Sequence, residues 1–216
     1  MNNQINRISK MWEGLSARLD ALAVDDNLSF IETRPVRDVV AHPLEENTKV
    51  CTEEIDLIKT IFSRAEEKPF ENISVLEIGA GYGNFCKVFH EVVGSPDYTI
   101  VDIPSMLRLS KKFLEVNKID CNFVEISNYE ALFGKGFDIL ISNVCMSEMP
   151  RRFLKDFLID ILPYCKRVSI IDSSSHEFFE DVVTLLDSYF RIYVMPCVQC
   201  KQTAHNIFFS NQKRTQ

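Results

Sequence analysis

The chain has 216 residues, 46% apolar and 25% charged, with a formal net charge of -7 at pH 7. These totals exclude a disordered chain and fit one packed domain with a small appendage; the acidic balance argues against a phosphate-backbone grip built from clustered Lys and Arg. No apolar run approaches the ~20 residues of a membrane span, and the polar, amphipathic start MNNQINRISKMWEG is unlike a signal sequence, so a cytoplasmic chain is expected.

In chain order, Ile8, Trp12, Leu15, Leu19 and Leu22 follow Ile5 at three- and four-residue steps, which is one face of a helix. That face could cover a ligand, pack as core or form a dimer seam. Residues 25–52, with Arg34-Pro35 and His42-Pro43, lack periodicity and read as a loop-rich arm. A second helix is expected over Glu53 to Arg64, with Ile55, Ile58, Ile61 and Phe62 inward. From Ile73, β-rich runs alternate with helical ones: SVLEIG, then NFCKVFHEVV; YTIVDI, then SMLRLSKKFLEV; CNFVEI, a polar link, then FDILISNV; RRFLKDFLIDIL, then RVSIID; HEFFEDVVTLLDSYF, then RIYVM and HNIFFS.

Phe85, Val88, Phe89, Val92 and Val93 fall on one helical stripe, as do Phe153, Leu154, Phe157, Leu158, Ile161 and Leu162. Alternation on this scale implies βαβ crossovers and a parallel sheet covered on both faces. The last two β-rich runs have no helix between them, so they are expected to pair antiparallel. The seven cysteines are an odd number, lie mostly in apolar runs and read as reduced thiols. Cys197 and Cys200 have zinc-knuckle spacing but no second Cys or His pair to complete a site, and no metal is expected. Lys111-Lys112 and Arg151-Arg152 have acids nearby and read as solvated faces.

Three of only seven glycines crowd into SVLEIGAGYGNF, at Gly79, Gly81 and Gly83, between the first core strand and the next helix. Glycine permits positive φ and leaves no Cβ between backbone and ligand, at the strand end where open parallel sheets bind their ligands. A dinucleotide loop needs its third glycine one position later, followed by a helix N-terminus for pyrophosphate. Here an acid, Glu77, stands two residues ahead of the first glycine, and no lysine is present to hold a phosphate. An acid so placed suits a cationic amino-acid group. Asp102, at the end of the second strand, stands where an acid can accept bonds from both ribose hydroxyls.

These residues resemble the first motifs of the class I, Rossmann-like S-adenosylmethionine-dependent methyltransferases. The resemblance implies an S-adenosyl-L-methionine cofactor and an α/β fold: a seven-stranded, mostly parallel sheet with an antiparallel C-terminal hairpin, helices on both faces, and an N-terminal helical extension. It divides the chain into residues 1–68, on the lid and acceptor side, and a methyltransferase domain over 69–216. It implies that Glu77, Gly79, Ala80, Gly81 and Gly83 surround the cofactor, that Asp102 holds the ribose and Ile103 packs on adenine, and that Asn143 ends the fourth strand near the methyl group. The family's acid after the third strand is missing, and Ser127 and Asn128 stand there instead.

The segments YTIVDIPSMLRLSKKFL and FDILISNVCMSEM look like those of bacterial sugar O-methyltransferases, in which Asp-Leu-Pro follows the second strand and Ser-x-x-Glu-Met follows the fourth. The matching positions are Asp102, Ile103 and Pro104, then Cys145, Glu148 and Met149, with cysteine replacing the serine.

The acceptor expected from this resemblance is a small molecule, a carbohydrate above all, and not a nucleic acid. A hydroxyl acceptor needs a general base at neutral pH. His176, in IIDSSSHEFF beside Asp172, is one candidate; the bland alternative is a first-turn residue of a helix capped by Ser174 or Ser175. Glu148 is the second candidate, with a favourable helix N-terminal acid as its alternative. Two rival readings keep the fold: transfer to a nitrogen, carboxylate or protein acceptor, or a degenerate domain that only binds. An NAD-dependent dehydrogenase fails on the glycine spacing.

Overall fold

A 20-residue helix, α1 (Leu44–Ser63), replaces the last part of the expected loop-rich arm and begins well before Glu53. The error has a physical cause. The first turns, LEENTKVCT, carry no apolar stripe, yet Glu45 and Glu46 favour a helix N-terminus and the Thr52 hydroxyl donates to the Thr48 carbonyl, 2.9 Å away, inside the helix. Cys51, Glu54, Ile55 and Ile58 form its buried face. The computed structural model describes residues 44–63, 70–94, 96–173, 176–196 and 204–213. The Ile5 to Leu22 stripe with Trp12, and also His42, Ser174, Ser175, Cys197 and Cys200, lie outside them.

The strands are β1 (Ser74–Ile78), β2 (Asp97–Asp102), β3 (Asn122–Glu125), β4 (Ile139–Asn143), β5 (Val168–Ser173), β6 (Phe190–Pro196) and β7 (Ala204–Lys213), joined in one sheet in the order β3-β2-β1-β4-β5-β7-β6. The first five run parallel. β7 pairs antiparallel with both β5 and β6. The intervening helices are α2 (Asn84–Val93), α3 (Pro104–Val116), α4 (Arg151–Ile161) and α5 (His176–Asp187).

The period of two along each strand sorts side chains between two apolar layers. Val75 of β1, Tyr98 and Ile100 of β2, and Ile139 and Ile141 of β4 face a layer built from α1, α2 and α3. Leu76, Ile78, Val101, Leu140 and Ile170 face the other, which α4 and α5 fill with Leu154, Phe157, Leu158, Ile161, Val182 and Leu186. Ile55 and Ile58 of α1 are fully buried in the first layer, each worth ~1.5–3 kcal/mol of transfer free energy.

The order reverses between β1 and β4, since β2 and β3 extend one way and β5 the other. A crevice therefore forms beyond the carboxyl ends of β1 and β4. Register there is pinned from the opposite end by the Phe-Asp start of β4. Buried Asp138 accepts the Ser74 N–H (2.8 Å) and hydroxyl (3.0 Å) through Oδ2 and Lys166 Nζ (3.0 Å) through Oδ1.

Candidate functional site

All three glycines of the loop after β1 take positive φ, at 77°, 59° and 94° for Gly79, Gly81 and Gly83. Their surroundings differ. A Cβ on Gly79 would lie 2.2 Å from Cys145 Sγ and 2.3 Å from its Cβ, so the absence of a side chain lets the segment after β4 close against the loop. Gly83 precedes α2 and packs against Leu114 and Ser110 of α3. Gly81 has nothing within 4 Å of the Cβ position, which leaves open space over the loop.

The loop is wrapped around Asp102. Gly79 N–H donates to the Val101 carbonyl (2.9 Å), and the Asp102 carboxylate accepts the Ile103 N–H at 2.7 Å. Burial raises the Asp102 carboxyl to about 7, against the lowering effect of the Ile103, Gly81 and Ala80 N–H groups, with Glu148 adding to the rise. Asp102 is not the cap of α3, whose N-cap position is Ile103 and carries no side-chain cap bond. It remains partly exposed, with Ile103 half-buried beside it.

Glu77 lies beneath the loop, 2% exposed, and accepts the Tyr98 hydroxyl at 2.9 Å rather than backbone donors. Burial raises its carboxyl to about 8; the Tyr98 bond opposes this and Asp102 reinforces it. Asn143, at the end of β4, donates through Nδ2 to Glu54 Oε2 on α1 (3.0 Å), and the Ser169 hydroxyl donates to Glu54 Oε1 (3.3 Å).

Past Asn143, Val144 takes a φ of 53°, a strained conformation for a β-branched residue, stands 49% exposed and donates its N–H to the Ile171 carbonyl at 2.6 Å. A 3-10 turn over Met146–Glu148 follows, its Ser147 N–H bonded to Oδ2 of buried Asp172 at 3.0 Å. Burial drives the Cys145 thiol far up, and Asp102, Glu148, Asp172 and Glu77 all push it further. Glu148 itself is raised by desolvation and by Asp172. The ends of β1, β2, β4 and β5 thus converge on one acidic crevice, and among the described residues none of the groups acting on these carboxylates is basic.

Compared with solved structures, the chain superposes on the plantazolicin methyltransferase BpumL in complex with SAH at a TM-score of 0.59 and 13% identity, covering 95% of this chain and 100% of that one. The fold is that of the class I methyltransferases. An O-methyltransferase family protein from Burkholderia thailandensis gives 0.58 and 11%, over 98% of this chain and 72% of that one. The N-terminal domain of human METTL16 in complex with SAH gives 0.58 and 12%, over 76% and 71%. No protein-family model and no curated protein sequence matches the chain.

Against the methyltransferase fold, the expected residues divide. Gly79, Ala80, Gly81, Gly83, Asp102, Ile103, Asn143, Cys145 and Glu148 gather around the crevice. Ser127 and Asn128 lie in a 3-10 helix, Ile126–Leu132, beyond β3, and both are exposed. His176 is the first residue of α5, at the carboxyl end of the sheet.

Three residues were missed. Glu125 ends β3 directly beside Asp102 in register and accepts a long bond (3.5 Å) from the Ser127 hydroxyl, so an acid does stand at that strand end. Tyr98 holds Glu77. Glu54 was passed over although a lone acid within the stripe Cys51, Ile55, Ile58 was a signal that could have found it.

Among the described residues no helix is long and apolar enough to cross a membrane.

Proposed function

We propose that this chain binds S-adenosyl-L-methionine and transfers its methyl group to a hydroxyl of a small molecule, a sugar or glycoconjugate precursor. The observation that carries the reading is the open glycine cradle over Gly81, bounded by Asp102 and ringed by carboxylates: it suits a sulfonium donor and repels a phosphate.

Gly79, Ala80, Gly81 and Gly83 would line the donor, Asp102 would accept from its ribose, and Ile103 would pack on its adenine. Ser127 and Asn128, with Glu125 nearby, would meet the adenine edge. Glu77 lies on the side of the donor's amino-acid group, and Asn143 on the methyl side. When bound, the donor supplies an activated methyl carbon; the protein's task is alignment and removal of the acceptor's proton.

Glu148 is the better-supported base. Burial and then Asp172 raise its carboxyl, which favours proton acceptance, and it acts electrostatically on Asp102 at the same crevice. His176 is retained as a second candidate because α5 begins at the same end of the sheet. Residues 1–68 would supply the acceptor side, with α1 as the part of them anchored in the core.

The test is calorimetric titration with the donor and with S-adenosylhomocysteine, followed by a screen of nucleotide sugars with radiolabelled donor. Glu148→Ala and His176→Ala should be assayed beside the wild type. Binding of neither compound overturns the reading; binding without turnover of any acceptor identifies a domain that only binds. Normal turnover by both variants removes the base assignments.

A further inference from the structure

The strongest unexplained feature is the amide of Asn143. Its Nδ2 is committed to Glu54, while its Oδ1 is shut off from solvent and has no partner. A buried acceptor left unpaired loses its hydration with nothing in return. Ser142 pairs with Ile78 across β4 and β1, so Asn143 sits one step further on, alongside Gly79 and the mouth of the donor cradle. Glu54, reaching in from α1, is 2% exposed and accepts from the Asn143 amide and the Ser169 hydroxyl.

An ionised carboxylate only accepts, and so it requires the NH2 end of the amide to face it. A protonated carboxyl carries an O–H that can donate to the amide oxygen, which turns the NH2 end away. With Ser169 already donating to Oε1, the proton falls on Oε2, and the two protonation states of Glu54 then present opposite ends of Asn143 to whatever lies at the end of β4. We propose that Glu54 is a positioning residue. Ionised, it leaves the negative end of the Asn143 amide dipole on the side of the donor's positive charge; protonated, it leaves the positive end there, so the cationic donor and its neutral product bind with different numbers of protons.

This rests on the methyltransferase reading. Among the described residues, the titratable groups facing Glu54 are Glu77 of β1, Tyr98 of β2 and Cys51 of its own helix, and none is basic. Burial, opposed by the Asn143 and Ser169 bonds and reinforced by Glu77, raises its carboxyl to about 8, so both states are accessible near neutral pH. The donor and S-adenosylhomocysteine differ only at sulfur, one methyl and one charge. Loss of the methyl during turnover would then let Glu54 recover its proton and weaken the cationic preference of the site.

The test is calorimetry of both compounds at pH 8 in two buffers of different ionisation enthalpy, which counts protons exchanged on binding. The donor should release more protons than S-adenosylhomocysteine. The difference should vanish in Glu54→Gln and survive in Asp138→Asn, at the opposite end of the sheet. In the wild type, the ratio of the two affinities should also rise with pH below about 8, by up to ~10-fold per pH unit if a full proton is linked.

Equal proton counts, a flat ratio between pH 6 and 9, or a difference that persists in Glu54→Gln overturns the inference while leaving methyltransferase function intact. Absence of binding by both compounds would instead overturn the functional reading beneath it. Should Glu54→Gln fail to fold, the wild-type pH series decides.

Discussion

Gly79→Ala tests the packing of the crevice most directly. The substitution places a methyl 2.2 Å from Cys145 Sγ and 2.3 Å from Cys145 Cβ, and demands an L side chain at a φ of 77°. The conformation costs ~1–2 kcal/mol. Forcing the two segments apart adds ~1–3 kcal/mol, for a total of ~2–5 kcal/mol. In a chain of this length that lowers the melting temperature by roughly 10 °C.

The two contributions are separable by background. Cys145→Gly removes both close atoms and leaves the Cα at an ordinary 3.8 Å, so Gly79→Ala on that background should cost only the conformational ~1–2 kcal/mol. Cys145→Ala keeps the Cβ at 2.3 Å and should rescue little. Urea unfolding of the single and double variants gives the coupling energy. A penalty equal on all three backgrounds, or below ~1 kcal/mol in the single variant, would refute the packing described.

Four further outcomes are expected. Asp102→Asn should weaken the donor and S-adenosylhomocysteine alike, by ~10–100-fold in calorimetry, as charge-assisted bonds are lost. Glu77 has a carboxyl raised from 4.5 unfolded to about 8 folded, so its contribution to stability is full below the lower value and is lost as pH rises through the upper one; melting curves should show Glu77→Gln gaining on the wild type from pH 5 to pH 9. Asp138→Ala should cost ~2–3 kcal/mol in urea unfolding, because the Ser74 N–H and Lys166 lose their acceptor, with donor affinity unchanged. Val144→Gly should raise stability by ~0.5–1 kcal/mol, since relief of the φ outweighs glycine's entropy, and a lower melting temperature would contradict the strain.

What was legible in the sequence was local in it. The glycine loop, Asp102 at a strand end and the alternation that predicts crossovers each rest on residues within a few positions of one another, and their chemistry needs only one strand and one turn. What escaped depended on distance along the chain. Glu54 acquires its meaning from Asn143 and Ser169, 89 and 115 residues away, and no window contains both ends. Glu125 became visible as a neighbour of Asp102 only through the β2–β3 register. The first turns of α1 were misread because their inward side uses Thr48 and Cys51, which do not make an apolar stripe.

Helix α1 has a consequence for how the protein can be dissected. Because it drives Cys51, Ile55 and Ile58 into the layer shared with α2 and carries Glu54 onto the end of β4, trimming the chain back to residue 69 would strip an oily floor bare and orphan a buried amide in one cut. A shortened fragment of that kind would aggregate before its ligand affinity could be judged, so any minimal version for crystallography or engineering has to keep the whole of α1.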